Sequence, residues 1–345
     1  MSHLTYAEAM IIGLIQGVTE LFPVSSLGHS VLIPALAGGS WAQDLNVSKP
    51  ESPYLAFIVG LHVATALAMI IYFWRDWLRI VTGFLTSLRD RRIATADQRL
   101  AWLIIVATIP VGISGLALEH LFRVVFSKPV PTALFLAVNG VILLAGERKR
   151  RLTREARLRI ERELGAERAV TAERTVAAGS GLTVKRAVTT DQAVTTERIV
   201  TADQAITTER AVAADRRLAG MGLGNALLIG ASQIFALLPG ISRDGIVTVT
   251  GMFRGISRED AVRFSFLLSA PVILAAGVLK IPDLTGPLGA GIHGQMLAGS
   301  LLAGIGAYLS VRFLTRYFAK ERSLAPFGIY CLVAGLGSAV YLLLR

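Results

Sequence analysis

Two short polar segments interrupt apolar stretches of this sequence, and they hold the residues whose types could carry chemistry. The first, Pro23–His29, reads Pro-Val-Ser-Ser-Leu-Gly-His, and the second, Pro239–Gly245, reads Pro-Gly-Ile-Ser-Arg-Asp-Gly. Proline removes a backbone donor and ends a helix, and glycine permits the turn that follows. Polar groups and irregular backbone within apolar stretches are costly, so both segments are functional hypotheses.

The first segment offers a nucleophile with a base and a metal ligand nearby. Gln16 and Glu20 precede the break four residues apart, which puts them on one helix face. Ser26 supplies a hydroxyl nucleophile, and either His29 or Glu20 could accept its proton. Gln16 and Glu20 could also hold a divalent cation, Mg²⁺ or Ca²⁺, against substrate phosphates.

The second segment offers a grip for an anion. Arg243 is permanently charged and binds phosphate oxygens in a two-pronged fashion. Backbone N–H groups at the helix starts after Gly28 and Gly245 are expected to point into the breaks, where an anion is favoured. The further polar candidates around the breaks are Ser25, Gln233, Ser242, Asp244 and Thr248. The sequence therefore predicts a phosphate site with a nucleophile and a base beside it.

Each of these side chains also has a purely structural interpretation. A lone intramembrane serine bonds its own helix, Gln16 could join helices, and Glu20 could cap the broken helix end. His29 could be a satisfied core histidine, and Arg243 could pair with Glu20 or Asp244. Clustering on two breaks in an otherwise apolar region favours function, and His62 stays open between packing and the site.

Composition places these segments in a membrane. Of 345 residues, 53% are hydrophobic and only 17% are charged, against about 25% charged in soluble domains. The net charge of +11 is explained by basic loops beside membrane spans, and no nucleic-acid-binding motif accompanies it. A nucleic-acid partner is therefore not expected.

Apolar stretches of about 20 residues predict the elements that position the breaks. Complete spans are predicted at about 54–74, 100–118, 129–146, 262–280, 293–314 and 324–344. Two broken, re-entrant pairs are predicted at about 7–36 and 223–253. Basic residues in the 75–99 loop and at Arg148–Arg151 put both regions in the cytoplasm, and those after 253 and 314 agree.

Each half thus contains a broken pair and three spans, with opposite orientation. We predict an all-α polytopic membrane protein with an inverted repeat, in which discontinuous helices meet near the midplane. The first repeat covers 1–146 and the second 219–345. Between them, 147–218 begins as a charged helical stretch and continues as a six-residue repeat of the type Ala-Val-Thr-Thr-Glu-Arg. This insertion is expected to be cytoplasmic and partly or wholly disordered.

The motifs in both breaks resemble those of the undecaprenyl pyrophosphate phosphatases, the bacitracin-resistance family. Gln16–His29 resembles the family's (Glu/Gln)-x-x-x-Glu and Pro-Val-Ser-Ser-x-Gly-His signature, and Pro239–Arg243 resembles its Pro-Gly-x-Ser-Arg motif. Gln233 stands upstream as expected. The resemblance covers both apolar halves and includes three further stretches: Gly60–His62, Tyr72–Asp76 and Trp102–Pro110.

The resemblance implies hydrolysis of a polyprenyl diphosphate to the monophosphate, which recycles the lipid carrier of cell-wall synthesis. It implies a bacterial plasma membrane protein whose site opens to the external face. Glu20 and Gln16 match the acidic pair, Ser26 the nucleophile, His29 the proton-transfer residue and Arg243 the phosphate clamp. The accessory hydroxyls of the family match Ser25 and Ser242.

Three departures from the family motif are present. Gln16, which the motif allows, removes one carboxylate of the pair, Asp244 stands where serine is usual, and Val247 stands where a hydroxyl residue is usual. Two alternatives accompany the enzyme. One is a transporter of polyprenyl phosphate, since inverted repeats with broken helices are a transporter architecture, and the other, suggested by Asp244 and Val247, is an inactive homologue that binds lipid diphosphate. The sequence leaves the oligomeric state open, with a homo-oligomer as one alternative.

Overall fold

The first half of the molecule is a series of helices. The structure is a computed structural model that describes residues 4–45, 53–121, 128–177, 209, 211–279 and 291–344, and those ranges contain no strand. A capping box between Thr5 and Glu8 begins the first helix. The helices are α1 (Tyr6–Leu21), α2 (Ser26–Ala37), α3 (Gly39–Asp44), α4 (Pro53–Tyr72), α5 (Trp74–Asp90), α6 (Ala96–Leu121) and α7 (Pro129–Ala177).

The second half likewise contains an interrupted helix pair followed by long helices. Its helices are α8 (Ala211–Ala219), α9 (Leu223–Ala231), a 3-10 helix (Ser232–Leu237), α10 (Arg243–Phe253), α11 (Arg258–Leu279), α12 (His293–Ala319) and α13 (Ala325–Leu344). Most of the six-residue repeat lies outside the described residues, and its last copy begins α8. By its internal contacts the chain divides into a unit of residues 1–147 with 215–345 and a second unit of residues 148–214.

Length and composition identify a multi-pass membrane protein. Among the described residues, α6, α7, α11, α12 and α13 are long and apolar enough to cross a bilayer. Two bent pairs raise the number of candidate spans from five to as many as seven: α4 with α5 at 87°, and α8 with α9 and the 3-10 helix at 104°. The predicted all-α polytopic fold is confirmed.

The two halves pack against each other in a reciprocal way that reflects the repeat. Helix α1, the first of one half, lies on α12 of the other, and α9 lies on α6. Both contacts are made by glycine at the same place in the repeat. Gly13 meets the Gly299 backbone and Gly230 meets the Ala107 backbone, with no room for a Cβ at either. Small residues permit this close approach of helices in lipid.

The stretch predicted as the 75–99 loop is mostly helix. The 17-residue helix α5 turns its small and apolar face, including Ile80, Gly83 and Ser87, towards the protein. A bidentate pair from Arg263 to Asp215, with Arg79 on the same carboxylate, lies beside it. The basic residues of this stretch predict a cytoplasmic connection. Its apolar residues at helical spacing also indicate an amphipathic helix, and this second signal explains α5.

Gly13→Ala is expected to destabilise the protein, because the new Cβ would overlap the Gly299 carbonyl and force α1 away from α12. We expect a loss of about 1–3 kcal/mol, measured as a lower unfolding temperature in detergent. The matched control is Gly112→Ala on α6, where nothing lies within 4 Å of the added Cβ. Equal unfolding temperatures for the two variants would contradict the packing described.

Candidate active site

The first break arises where Pro23 stops α1. The chain turns through Val24, whose N–H donates to the Phe22 carbonyl at 2.6 Å. Ser25 then takes a positive φ of 69°, a conformation that L residues rarely adopt. Its hydroxyl caps α2 by accepting the Gly28 N–H at 3.2 Å. The strained serine thereby starts α2 at Ser26.

The second break is built in a similar way and touches the first. Gly240 supplies a φ of 108°, and Ser242 caps α10 by accepting the Gly245 N–H at 3.1 Å. The Gly240 N–H donates to the Ser25 hydroxyl at 3.1 Å. A Cβ on Gly28 would lie 3.0 Å from the Gly240 Cα, so glycine at position 28 lets the two backbones meet.

The Glu20 carboxylate is the point at which the predicted site residues converge. Its Oε2 accepts from the Ser26 hydroxyl at 2.5 Å and from the Gln16 amide at 2.9 Å. Its Oε1 accepts from the Arg243 guanidinium at 2.8 Å. A hydroxyl from one break and a guanidinium from the other therefore share one buried carboxylate. Of the readings left open for Arg243, the pairing with Glu20 is present in this structure.

His62, which the sequence left undecided, belongs to this cluster. Its Nε2 lies 3.3 Å from Glu20 Oε2, and its Nδ1 lies 2.8 Å from the Ile58 carbonyl. Both partners are acceptors, so only the imidazolium can donate to both at once. A histidine inside an apolar span was the one signal of this in the sequence, because the distance from His62 to Glu20 exists only in three dimensions.

The cluster has an excess of positive charge when His62 is protonated. One carboxylate, Glu20, then lies beside two cations, the Arg243 guanidinium and the His62 imidazolium. The Arg243 Nε is buried and has no hydrogen-bond partner among the described residues. A buried donor without a partner is costly, so this N–H is available to an additional acceptor. Phosphate oxygens are suitable acceptors.

Two of the predicted anion donors are already engaged. The N–H groups of Gly28 and Gly245 donate to the cap hydroxyls of Ser25 and Ser242, rather than standing free in the breaks. The caps explain why: a Ser at each N-cap satisfies the donor three residues on. The accessory serines therefore shape the breaks in this structure.

His29 lies in the first turn of α2, and its ring contacts are not with Ser26 or Glu20. Its Nδ1 lies 2.7 Å from the Ser25 carbonyl, and its Nε2 lies 2.8 Å from the Tyr330 hydroxyl, with the two rings stacked. The carbonyl can only accept, so Nδ1 carries a proton, and in the neutral ring Nε2 accepts from the Tyr330 hydroxyl. Of the two predicted bases, Glu20 is the one in contact with the serine.

Gln233 lies in the 3-10 helix that precedes the second break. Its amide donates to the Gly230 carbonyl at 3.3 Å and to the Ala107 carbonyl at 3.5 Å, across the close contact of α9 and α6. Its contacts are with helix backbone, as expected for a residue that joins helices.

The residues do not fit a divalent cation bound by Gln16 and Glu20 in this arrangement. Both Glu20 oxygens accept hydrogen bonds, and they lie beside the Arg243 guanidinium and the His62 imidazole. Of the side-chain oxygens of Gln16 and Glu20, Gln16 Oε1 alone has no partner among the described residues. Groups of three or more ionisable ligands that could hold a metal are absent from the described residues. A hard cation needs several oxygen ligands, and here the protein offers one.

One family model matches this chain twice. The model of the family described as "Bacitracin resistance protein BacA" matches residues 9–172 and 170–337, which include both breaks. The chain belongs to the BacA family. The two matches cover the two halves in succession, consistent with the inverted repeat of the fold.

Relatives in the BacA family extend over the whole chain. A Mycolicibacterium paratuberculosis protein named undecaprenyl-diphosphatase is 56% identical over 344 residues, covering 100% of this chain and 99% of the relative. Undecaprenyl-diphosphatase 2 of Frankia alni is 53% identical, covering 97% of each chain. Undecaprenyl-diphosphatase 2 of Chromobacterium violaceum is 35% identical, covering 95% of this chain and 96% of the relative.

Asp244, at which the sequence departs from the motif it resembles, has a carboxylate that joins two helices. Its Oδ1 accepts from the hydroxyls of Ser265 at 2.7 Å and Ser269 at 2.6 Å, both on α11. The carboxylate also stands in the first turn of α10, where the helix dipole favours negative charge. The departure from the motif is thus matched by two hydroxyl donors on the neighbouring helix.

Asp244→Ala is expected to destabilise the protein by about 1–3 kcal/mol, because it removes the acceptor that two buried hydroxyls share. The control is Asp244→Ser, the residue usual in the BacA family, which keeps an acceptor and should lose less. Unfolding temperatures in detergent provide the measurement. The losses of Asp244→Ala and Ser269→Ala should combine to less than their sum, and full additivity would contradict the shared contact.

Proposed function

We propose that this protein is a membrane phosphatase that hydrolyses undecaprenyl diphosphate, or a similar polyprenyl diphosphate, to the monophosphate and inorganic phosphate. The single observation that carries the proposal is the Ser26 hydroxyl on Glu20, with Arg243 on the same carboxylate. The names of the relatives and membership of the BacA family support the choice of substrate. Recycling of the cell-wall lipid carrier and bacitracin resistance follow from this proposal.

Substrate binding uses the positive charge of the cluster. The terminal phosphate accepts from Arg243, including the Nε that otherwise has no partner, while His62 balances the charge on Glu20. The polyprenyl tail stays among the apolar helices. A bidentate guanidinium contact fixes the phosphorus as well as neutralising it.

Nucleophilic attack uses the contact between Ser26 and Glu20. As the serine oxygen bonds to the terminal phosphorus, its proton passes to Glu20 Oε2. The bond from phosphorus to the bridging oxygen breaks, and the polyprenyl monophosphate leaves with the electron pair and takes the proton from Glu20. Water then attacks the phosphoserine, Glu20 accepts the proton of the water, and this proton returns to the serine as phosphate leaves.

The divalent cation expected from the sequence remains a proposal of its own. Since Glu20 already pairs with Arg243 and lies beside His62, we propose that Mg²⁺ or Ca²⁺ enters as a complex with the diphosphate rather than residing on Gln16 and Glu20.

Substitutions in the cluster are expected to abolish most phosphate release. Purified protein in detergent is supplied with farnesyl diphosphate, and kcat and KM are measured. Ser26→Ala and Glu20→Gln should lower kcat by about 10²–10⁴-fold, since each removes the nucleophile or its base. Arg243→Ala should also raise KM. Thr108→Val is the control, because the Thr108 hydroxyl bonds only a carbonyl of its own helix.

Several outcomes would contradict the proposal. A folded parent protein that releases no phosphate is not this enzyme, and the transporter and the inactive binding homologue then remain. If Ser26→Ala keeps most activity while Glu20→Gln loses it, the nucleophile is water activated by Glu20. Unchanged kinetics in Arg243→Ala would show that the phosphate is held elsewhere.

We further propose that the site opens to the external face, with the turn after α5 in the cytoplasm. Arg92 in this turn is exposed, and the single native cysteine, Cys331, is buried. Arg92→Cys in intact cells should resist an impermeant thiol reagent and react once the membrane is opened. Labelling of intact cells at this position would reverse the orientation.

A further inference from the structure

We infer that Asn139 is a positioning residue that fixes the nucleophile-bearing break against the phosphate-binding break. The inference rests on the proposed phosphatase function and extends it to a residue outside both motifs. Asn139 lies on α7, and its side chain is completely buried. A buried amide in a spanning helix is costly unless all its polar atoms have partners.

The Asn139 amide contacts both breaks at the same time. Its Nδ2 donates to the Pro23 carbonyl at 2.9 Å, in the first break. Its Oδ1 accepts the Ser242 N–H at 3.0 Å, in the second. The other Nδ2 contact is the thiol of Cys331 on α13, at 3.3 Å. One side chain therefore joins two segments that are more than 200 residues apart in the sequence.

These partners also fix the direction of the amide. The Pro23 carbonyl can only accept and the Ser242 N–H can only donate, so a flipped amide would face like with like at both ends. Both groups come from places where helices are interrupted, and helix ends leave backbone carbonyls and N–H groups without partners. Asn139 supplies a donor to the Pro23 carbonyl and an acceptor to the Ser242 N–H.

The consequence for chemistry follows from the short distance along the chain. Pro23 precedes Ser26 by three residues, and Ser242 directly precedes Arg243. Holding the two backbone groups therefore sets the position of the nucleophile relative to the clamp. The hydrogen bond from the Gly240 N–H to Ser25 is a second link between the breaks, and two links resist rotation where one would not.

The test is Asn139→Leu, which keeps the approximate size of the side chain and removes both hydrogen bonds. Misplacement of reacting groups by about 1 Å costs about 100-fold in rate, so we expect kcat for farnesyl diphosphate to fall about 100-fold. KM should change less than about threefold, because Arg243 and its grip on phosphate remain. Asn139→Ala serves if the leucine variant does not fold, and Thr108→Val is the matched control.

A second readout is independent of activity. Hydrogen exchange of the peptide that contains Ser242 is measured by mass spectrometry in detergent, on protein that elutes as folded. Loss of the Asn139 acceptor should speed exchange there and leave the α6 peptide that contains Thr108 unchanged. Faster exchange together with the fall in kcat supports the inference.

Three results would overturn it. The first is unchanged hydrogen exchange at Ser242, and the second is a kcat within threefold of the parent. The third is a fall in kcat/KM that comes entirely from a higher KM. If the parent protein releases no phosphate at all, the proposed function fails. The exchange measurement then still decides whether Asn139 holds the breaks together.

Discussion

The Glu20 carboxylate is the interaction on which the rest of the site depends. It accepts hydrogen bonds from the Ser26 hydroxyl at the start of α2 and from the Arg243 guanidinium at the start of α10. His62 approaches it from α4. Burying the Glu20 carboxylate would be costly if these donors were absent. The same arrangement leaves the buried Arg243 Nε without a partner among the described residues, and a phosphate oxygen is a suitable acceptor for it.

The fold brings these groups together through its interruptions rather than through its regular helices. Each break exposes backbone groups that a continuous helix would pair internally, and the two breaks satisfy each other through Ser25 and Asn139. The reciprocal packing of α1 on α12 and of α9 on α6 holds the interrupted helices in place. Glycine at their contacts lets the backbones approach closely enough for the breaks to meet.

The sequence was sufficient for the fold class and the positions of the breaks, because span length and proline–glycine punctuation are local signals. It also placed Glu20, Ser26 and Arg243 among the candidates, since polar residues are conspicuous in apolar stretches. It did not predict which candidates touch. The contacts of His62 with Glu20 and of Asn139 with both breaks depend on helix packing. The helix α5 was not predicted, because its basic residues are also typical of a cytoplasmic loop.

The central claim is that Glu20 activates the Ser26 hydroxyl while Arg243 holds the phosphate, and trapping of the intermediate tests it most directly. The protein is mixed with farnesyl diphosphate carrying ³²P in its terminal phosphate and quenched in acid within milliseconds. We expect the label on the peptide containing Ser26, absent in Ser26→Ala and formed far more slowly in Glu20→Gln. Turnover by the parent without labelled protein, or labelling of Glu20→Gln at the parental rate, would contradict the account.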